Sequence, residues 1–219
     1  MKENGYEYVD LGLPSNTMWA TCNVGSTTPE DEGLLFQFGR VDGYRFGHIN
    51  KFRLNKQNKQ DTGSEYIPVT TSGKIYKKNE ILDLEDDAAH VNMGGKWRMP
   101  TKDELKEIVD NTTHRVEAIH GVQGMMFTSN INGNQLFVPF IQGWWCNGNW
   151  DNWFNCFVYI WSSQVHASNA GVAYRLLCNS STYSNINGTA TRVFAFSVRG
   201  VFKSNDTSNE YKNNINMLI

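Results

Sequence analysis

Only one stretch of the 219 residues carries a complete set of helix signals. Thr101 stands where an N-cap belongs, and Glu104 three residues on completes a capping box. Asp103 and Glu104 place negative charge at the positive end of the helix dipole. Leu105, Ile108 and Val109 line one face, and the pattern ends near Asn111. Elsewhere Gly, Asn and Ser recur at short intervals and break the chain into short runs. A chain with one strong helix, and a shorter one at Asp86–Val91, must build most of its core from strands. The expected class is α+β, mostly short antiparallel strands with one or two main helices.

The strand pattern opens with a hairpin. Tyr6–Gly12 alternates, Leu13–Asn16 turns, and Thr17–Val24 returns. Thr28–Asp31 reads as a short helical turn, and Leu34–Phe38 as an apolar strand. From Arg45 to about Glu85 the chain is rich in Lys and Asn, which predicts an excursion over the surface. A small hairpin, Tyr66–Thr70 against Lys74–Tyr76, is expected within it. Further strands are expected at Arg115–Ile119, Gly124–Thr128, Gln135–Val138, Val172–Cys178 and Val193–Phe202. The tail, 203–219, is polar and Asn-rich. One domain over residues 1–202 is the expected organisation, since a chain of this length buries one substantial core.

Net charge is −2, so no general attraction to nucleic acid or anionic lipid is expected. No apolar run approaches the roughly 18–20 residues that span a bilayer, so no membrane insertion is expected. The first ten residues, MKENGYEYVD, show no apolar signal core.

The segment Trp144–Trp161, WWCNGNWDNWFNCFVYIW, holds five of the seven tryptophans. Asn147-Gly-Asn149 and Asp151-Asn152 interrupt it with residues that favour turns over a packed strand. Each large aromatic carries about 150–250 Å² of contact surface, more than one loop easily buries. From Pro139 to Gly200 there is no lysine and one acid, Asp151, against three arginines, Arg175, Arg192 and Arg199. Charge-poor surfaces with Trp, Tyr and Arg, interleaved with short Asn and Ser, are the composition of binding faces. An exposed aromatic patch is one reading. A loop core, or an aromatic layer within a homo-oligomer, is the other. Trp161, followed by Ser162 and Ser163, reads as core.

The residues offer little catalytic chemistry. Cys22, Cys146, Cys156 and Cys178 form no CxxC pair, and no Cys/His cluster has zinc spacing. They read as free, mostly buried thiols, with a Cys146–Cys156 disulfide as the alternative. No basic residue lies within ten positions of either to lower a thiolate pKa. His48, His90, His114, His120 and His166 show no ligand spacing, and His90 is expected to pack or hydrogen-bond near the Trp-Arg-Met-Pro-Thr turn. Arg98 and Arg199 sit in apolar motifs where a guanidinium satisfies buried carbonyls. No cofactor, no metal and no enzymatic activity are expected.

The chain resembles the bacterial form of the C-type-lectin-like fold. This form includes the formylglycine-generating-enzyme superfamily and the Fibrobacter-type major paralogous domains. The stretches that carry the resemblance are Gly5–Pro14 (GYEYVDLGLP), Trp19–Gly25 (WATCNVG), Asp86–Ala89 (DDAA), Gly95–Thr101 (GKWRMPT), Trp161–Ser163, Ala173-Tyr174 and Phe196–Arg199 (FSVR). The resemblance implies the formylglycine-generating-enzyme-like subtype of that fold. It also implies strands from the two ends, Tyr6–Gly12 and Val193–Phe202, near each other in one sheet. An oxidase of that superfamily would use a reactive cysteine pair more closely spaced than Cys146 and Cys156. The Glu-Pro-Asn and Gln-Pro-Asp tripeptides of calcium-dependent lectins do not occur.

Within that fold the chain is similar to the variable proteins of diversity-generating retroelements, including phage major tropism determinants. There, mutagenesis at adenines randomises chosen C-terminal positions over a fixed scaffold. The resemblance implies a ligand-binding region over residues 139–200, with Trp161, Tyr174, Leu176 and Phe196–Arg199 as anchors. Its contact residues would be Trp144, Trp145, Asn147, Trp150, Asn152, Trp153, Asn155, Phe157, Tyr159, His166, Arg175, Asn179, Ser181, Tyr183, Asn185 and Asn187. Along Val172–Cys178 alternation turns Tyr174 and Leu176 inward and Arg175 and Leu177 outward. The function implied is display of a surface that recognises a protein or cell-surface receptor, at a bacterial surface or on a virion. Calcium-independent carbohydrate binding is the alternative, and an oligomer is compatible with either.

Overall fold

A computed structural model describes residues 1–45, 60–61, 66–67, 69–140, 157–179, 184–185 and 188–204. Among them are two α-helices, Ala88–Met93 (α1) and Lys102–Asp110 (α2), and fifteen short strands. The helix signals at Thr101 act as read. Thr101 Oγ1 accepts from the Glu104 N–H, and the Glu104 carboxylate accepts from the Thr101 N–H at 2.9 Å.

Glu104 does more than cap. Arg98 donates two charge-assisted bonds of 2.6 and 2.7 Å to the same carboxylate, and Thr17 adds a third donor. Burial pushes the Glu104 carboxyl up, but Arg98 and the Thr101 cap more than offset it and hold it below its usual range. A carboxyl lowered in the folded state stabilises the fold above its unfolded pKa, about 4.3. That stability is lost as pH falls through the lower, folded value. Urea unfolding between pH 7 and pH 3 is expected to show less acid sensitivity in Glu104→Gln than in the wild type. Superimposable pH profiles would contradict this role.

The turn before α2 is tied to α1 by one carboxylate. Asp87 caps α1 by accepting from the His90 N–H at 2.9 Å, and it also accepts from the Met99 N–H at 2.8 Å. His90 Nδ1 lies 3.0 Å from the Trp97 carbonyl, as expected for a residue that serves this turn. Gly94 and Gly95 both have positive φ, 66° and 59°, a consecutive pair that side chains rarely adopt. The turn delivers Trp97 into the core, where its Nε1–H donates to the Glu3 carbonyl at 2.9 Å.

Strands from both ends share one antiparallel sheet. Lys2–Glu3 (β1), Tyr6–Asp10 (β2) and Thr17–Asn23 (β3) line up with Arg199–Lys203 (β15) in the order β1-β2-β3-β15. A second sheet contains Leu35–Gln37 (β4), Phe157–Val165 (β10), Val172–Asn179 (β11), Ser184–Asn185 (β12), Thr189–Thr191 (β13) and Ala195–Ser197 (β14). Its order is β12-β11-β10-β14-β4, with β13 also on β11, and only β10 and β14 run parallel. Thr112–Ile119 (β7), Val122–Ser129 (β8) and Gln135–Pro139 (β9) form a three-stranded meander. Gln60–Asp61 (β5) pairs with Tyr66–Ile67 (β6).

The second sheet separates two apolar clusters. Along β10, Val158 and Ile160 join Leu105 and Ile108 of α2, Trp19, Phe127 and Leu176 on one side. Tyr159 and Trp161 turn to the other, with Phe36, Phe38, Phe196, Trp97 and Ala88 and Ala89 of α1. Trp161 is fully buried, as expected, and the Ser163 N–H bonds the Pro100 carbonyl at 2.7 Å.

Three expectations need correction. The run Val193–Phe202 is not one strand. It divides at Val198, because Ser197 pairs with Leu35 in the second sheet while Arg199 pairs with Asn23 in the first. The hairpin of Tyr66–Thr70 against Lys74–Tyr76 does not form, since Tyr66–Ile67 pairs with Gln60–Asp61 instead. Buried Asp86 holds the later residues, accepting from the Ser72 N–H, the Ser72 hydroxyl and the Tyr76 hydroxyl. Nor is the described part of the polar excursion all surface, because Tyr76 and Leu82 are buried in the core beside Phe38. Of the polar tail, 205–219 lie outside the described residues, and Lys203 ends β15.

Candidate functional site

Strands β10, β11 and β14 bring an aromatic ladder and one cation onto the same face. The Tyr159 ring stacks on Phe196, centroids 4.8 Å apart and planes within 10°. Phe157 extends the ladder at one end, 5.7 Å from Tyr159, and Phe194 extends it from β14, 5.8 Å from Phe196. Phe196 also lies 4.6 Å from Trp161, which meets Phe38 edge-on. The ladder therefore runs from fully buried rings to Phe157 and Phe194, which are half-buried.

Arg175 lies over this ladder. Its register partner on β10 is Trp161, and its guanidinium reaches back over the Tyr159 ring at 4.7 Å and over Phe196 at 5.6 Å. The residue is half-buried. Its Nε and Nη1 are shielded from solvent and hydrogen-bonded to nothing. Burial holds the guanidinium below its ordinary pKa, with the Tyr159 hydroxyl opposing, and burial raises the Tyr159 hydroxyl.

The other two C-terminal arginines are held differently. Arg199 is fully buried and spends its nitrogens on the Asn23 side chain and the Ala20 and Phe137 carbonyls, at 2.8, 3.1 and 3.3 Å. Arg192, also fully buried, donates from Nη1 to the Tyr76 and Ala170 carbonyls and lies 5.0 Å over Phe38. Its Nε and Nη2 have no partner. Burial lowers both to about 10, which leaves them charged at neutral pH.

The expected contact residues divide into three groups. Phe157, Tyr159 and Arg175 come together. Tyr159 is only 5% exposed, however, so it serves as floor rather than as contact surface, because Phe196 covers one ring face and Arg175 lies over it. Leu177 turns to the opposite face from Leu176, but that face is not outward, because Leu177 packs against the cluster of Tyr159, Trp161 and Phe196. His166 stands apart at the far end of the hairpin, against Tyr174 and Ser168. Asn179 pairs with Phe157 and Asn185 with Leu177 at the backbone. Trp144, Trp145, Asn147, Trp150, Asn152, Trp153, Asn155, Ser181, Tyr183 and Asn187 lie outside the described residues, as do Cys146 and Cys156. Phe157 opens β10 opposite Asn179.

Sequence reasoning passed over Phe194 as a site residue; the signal was the alternating Val-Phe-Ala-Phe run. A concavity of about 330 Å³ lies against the first sheet, between Tyr6, Ala20, Cys22, Thr27 and Met93. Cys22 is a free thiol, and Cys178 is buried. Among the described residues no three His, Cys, Asp or Glu side chains are placed to hold a metal, and no helix is long and apolar enough to cross a membrane.

Comparison of the chain with protein-family models, with curated proteins and with solved structures finds no match.

Proposed function

We propose that this chain is a ligand-binding display protein of the C-type-lectin-like type. On this reading the end of the second sheet around Phe157, Arg175 and Phe194, with the segments that join it there, recognises a protein or cell-surface receptor. One observation carries the reading: half-buried Arg175 lies over the Tyr159 ring at 4.7 Å, with half-buried Phe157 beside that ring, at one end of the second sheet in a segment almost without acids. The join of both chain ends in one sheet supports the fold assignment, as does the Gly-Lys-Trp-Arg-Met-Pro-Thr turn that leads into α2.

Diversification by a retroelement is part of this proposal. The scaffold that would tolerate it consists of inward residues, Val158, Ile160, Leu176 and Cys178, which do not share a face with the contact positions. The DNA beside the coding region tests it. A near-copy of the segment for residues 139–200, differing at adenines and adjacent to a reverse transcriptase gene, is the expected finding. A locus with neither would leave a binding domain of fixed specificity.

A further inference from the structure

We propose that the chain pairs with a second copy of itself along the outer edge of β7, which joins two meanders into one continuous antiparallel sheet. The proposal stands apart from the binding reading above. β7 is the end strand in the order β7-β8-β9. It pairs with β8 at every residue from Thr112 to Ile119, without a bulge. Its sequence, TTHRVEAI, is rich in β-branched residues and contains no Pro, Lys or Gly. Proteins blunt an exposed edge with short strands, bulges, Pro or Lys, and β7 uses none of these. Bonds at the two ends of the meander show where its backbone groups point. The Asn130 N–H bonds the Asn111 carbonyl, and the Phe140 N–H bonds the Gln123 carbonyl. Successive residues of a strand point these groups to opposite sides. In β7 the odd-numbered residues, Arg115 and Glu117 among them, therefore bond β8. The N–H and C=O of Val116 and Ala118 point the other way, and among the described residues nothing bonds them.

The charges on this edge argue for a second copy rather than a foreign strand. Val116 packs against the second cluster, so Arg115 and Glu117 share the outer face, where their side chains pair and are 57% and 30% exposed. A two-fold axis through Val116 sets that residue opposite Val116 of the second copy as a hydrogen-bonded pair. Arg115 then lies opposite Glu117 of the second copy, and Glu117 opposite its Arg115. These are non-hydrogen-bonded positions, the closer kind, with Cα atoms about 4.5 Å apart. The four charges alternate in sign around a square, so each has two neighbours of opposite sign. A strand with any other charge pattern would leave some of them unmatched. Both copies use the same edge, so the contact closes at a dimer and does not propagate.

Pairing along one strand edge buries little area, so the expected dissociation constant is on the order of 10 μM. Sedimentation equilibrium of the full chain across that concentration is the test. Arg115→Glu and Glu117→Arg each set like charges opposite one another, and each is expected to weaken the dimer at least about 10-fold. The variant carrying both changes restores opposite signs, and its constant is expected within about 3-fold of the wild type. Ala118→Pro removes an outward N–H that β8 does not use and is expected to abolish the dimer. A wild type that stays monomeric at the highest concentration would overturn the proposal. A dimer that both single charge reversals leave intact would place the contact elsewhere and overturn it too. A double variant no tighter than the single ones would overturn the pairing across the two-fold axis.

Discussion

Arg199→Met is expected to lower stability by about 3 kcal/mol, read as a fall in the urea midpoint at unchanged slope. The methylene stem is preserved, so the loss reports the guanidinium. Its three bonds tie β3 to β9, through Asn23 and Ala20 on one side and Phe137 on the other. Without it three acceptors remain in a region with no solvent access, each costing about 1–3 kcal/mol. Relief of the buried charge offsets part of that cost but supplies no donor. A loss below about 1 kcal/mol would mean that water enters and bonds these acceptors. The contrast with Arg175 is the point. Both lie in the same charge-poor segment, yet removing one should strand acceptors and removing the other should strand none.

Trp161→Ala is the second large effect, an expected loss of about 3–5 kcal/mol. The indole is fully buried, packs on Phe196 at 4.6 Å and Phe38 at 5.7 Å, and donates to the Phe36 carbonyl at 2.9 Å. The substitution removes the largest ring of the ladder and leaves that carbonyl without its donor. Ile131→Ala is the control. That side chain is 53% exposed, and its loss should stay within about 0.5 kcal/mol. Comparable losses in the two variants would refute the ladder as a structural element.

The sequence was most legible where local chemistry decides structure. The capping box needed only Thr101 and Glu104, which are three residues apart, so α2 could be read with its ends. The alternation of β11 was legible for the same reason, and Trp161 fell in the core as read, although the strand that carries it, β10, was not read as one. What could not be read depends on distant pairing. Nothing local to Val193–Phe202 says that Ser197 will find Leu35 and Arg199 will find Asn23, so the break at Val198 was missed. The polar stretch before Asp86 looked like surface because its charge is high. Tyr76 is buried there because Asp86, ten residues on, accepts its hydroxyl. Tyr159 could not be assigned to floor or surface without Phe196, which comes to it from another strand. The tryptophans from Trp144 to Trp153, which made the segment conspicuous, lie outside the described residues.

The most direct measurement of the central claim is amide hydrogen exchange of the full chain with and without a bound partner, using the highest-affinity peptide that a random-peptide phage library yields on the full chain. New protection is expected along Phe157–Tyr159, Arg175–Asn179 and Thr189–Phe196, and in the segments that join β10 and β11 at that end. The meander β7-β8-β9 and the concavity beside Cys22 should be unchanged. Protection confined to the meander or to that concavity would contradict the account.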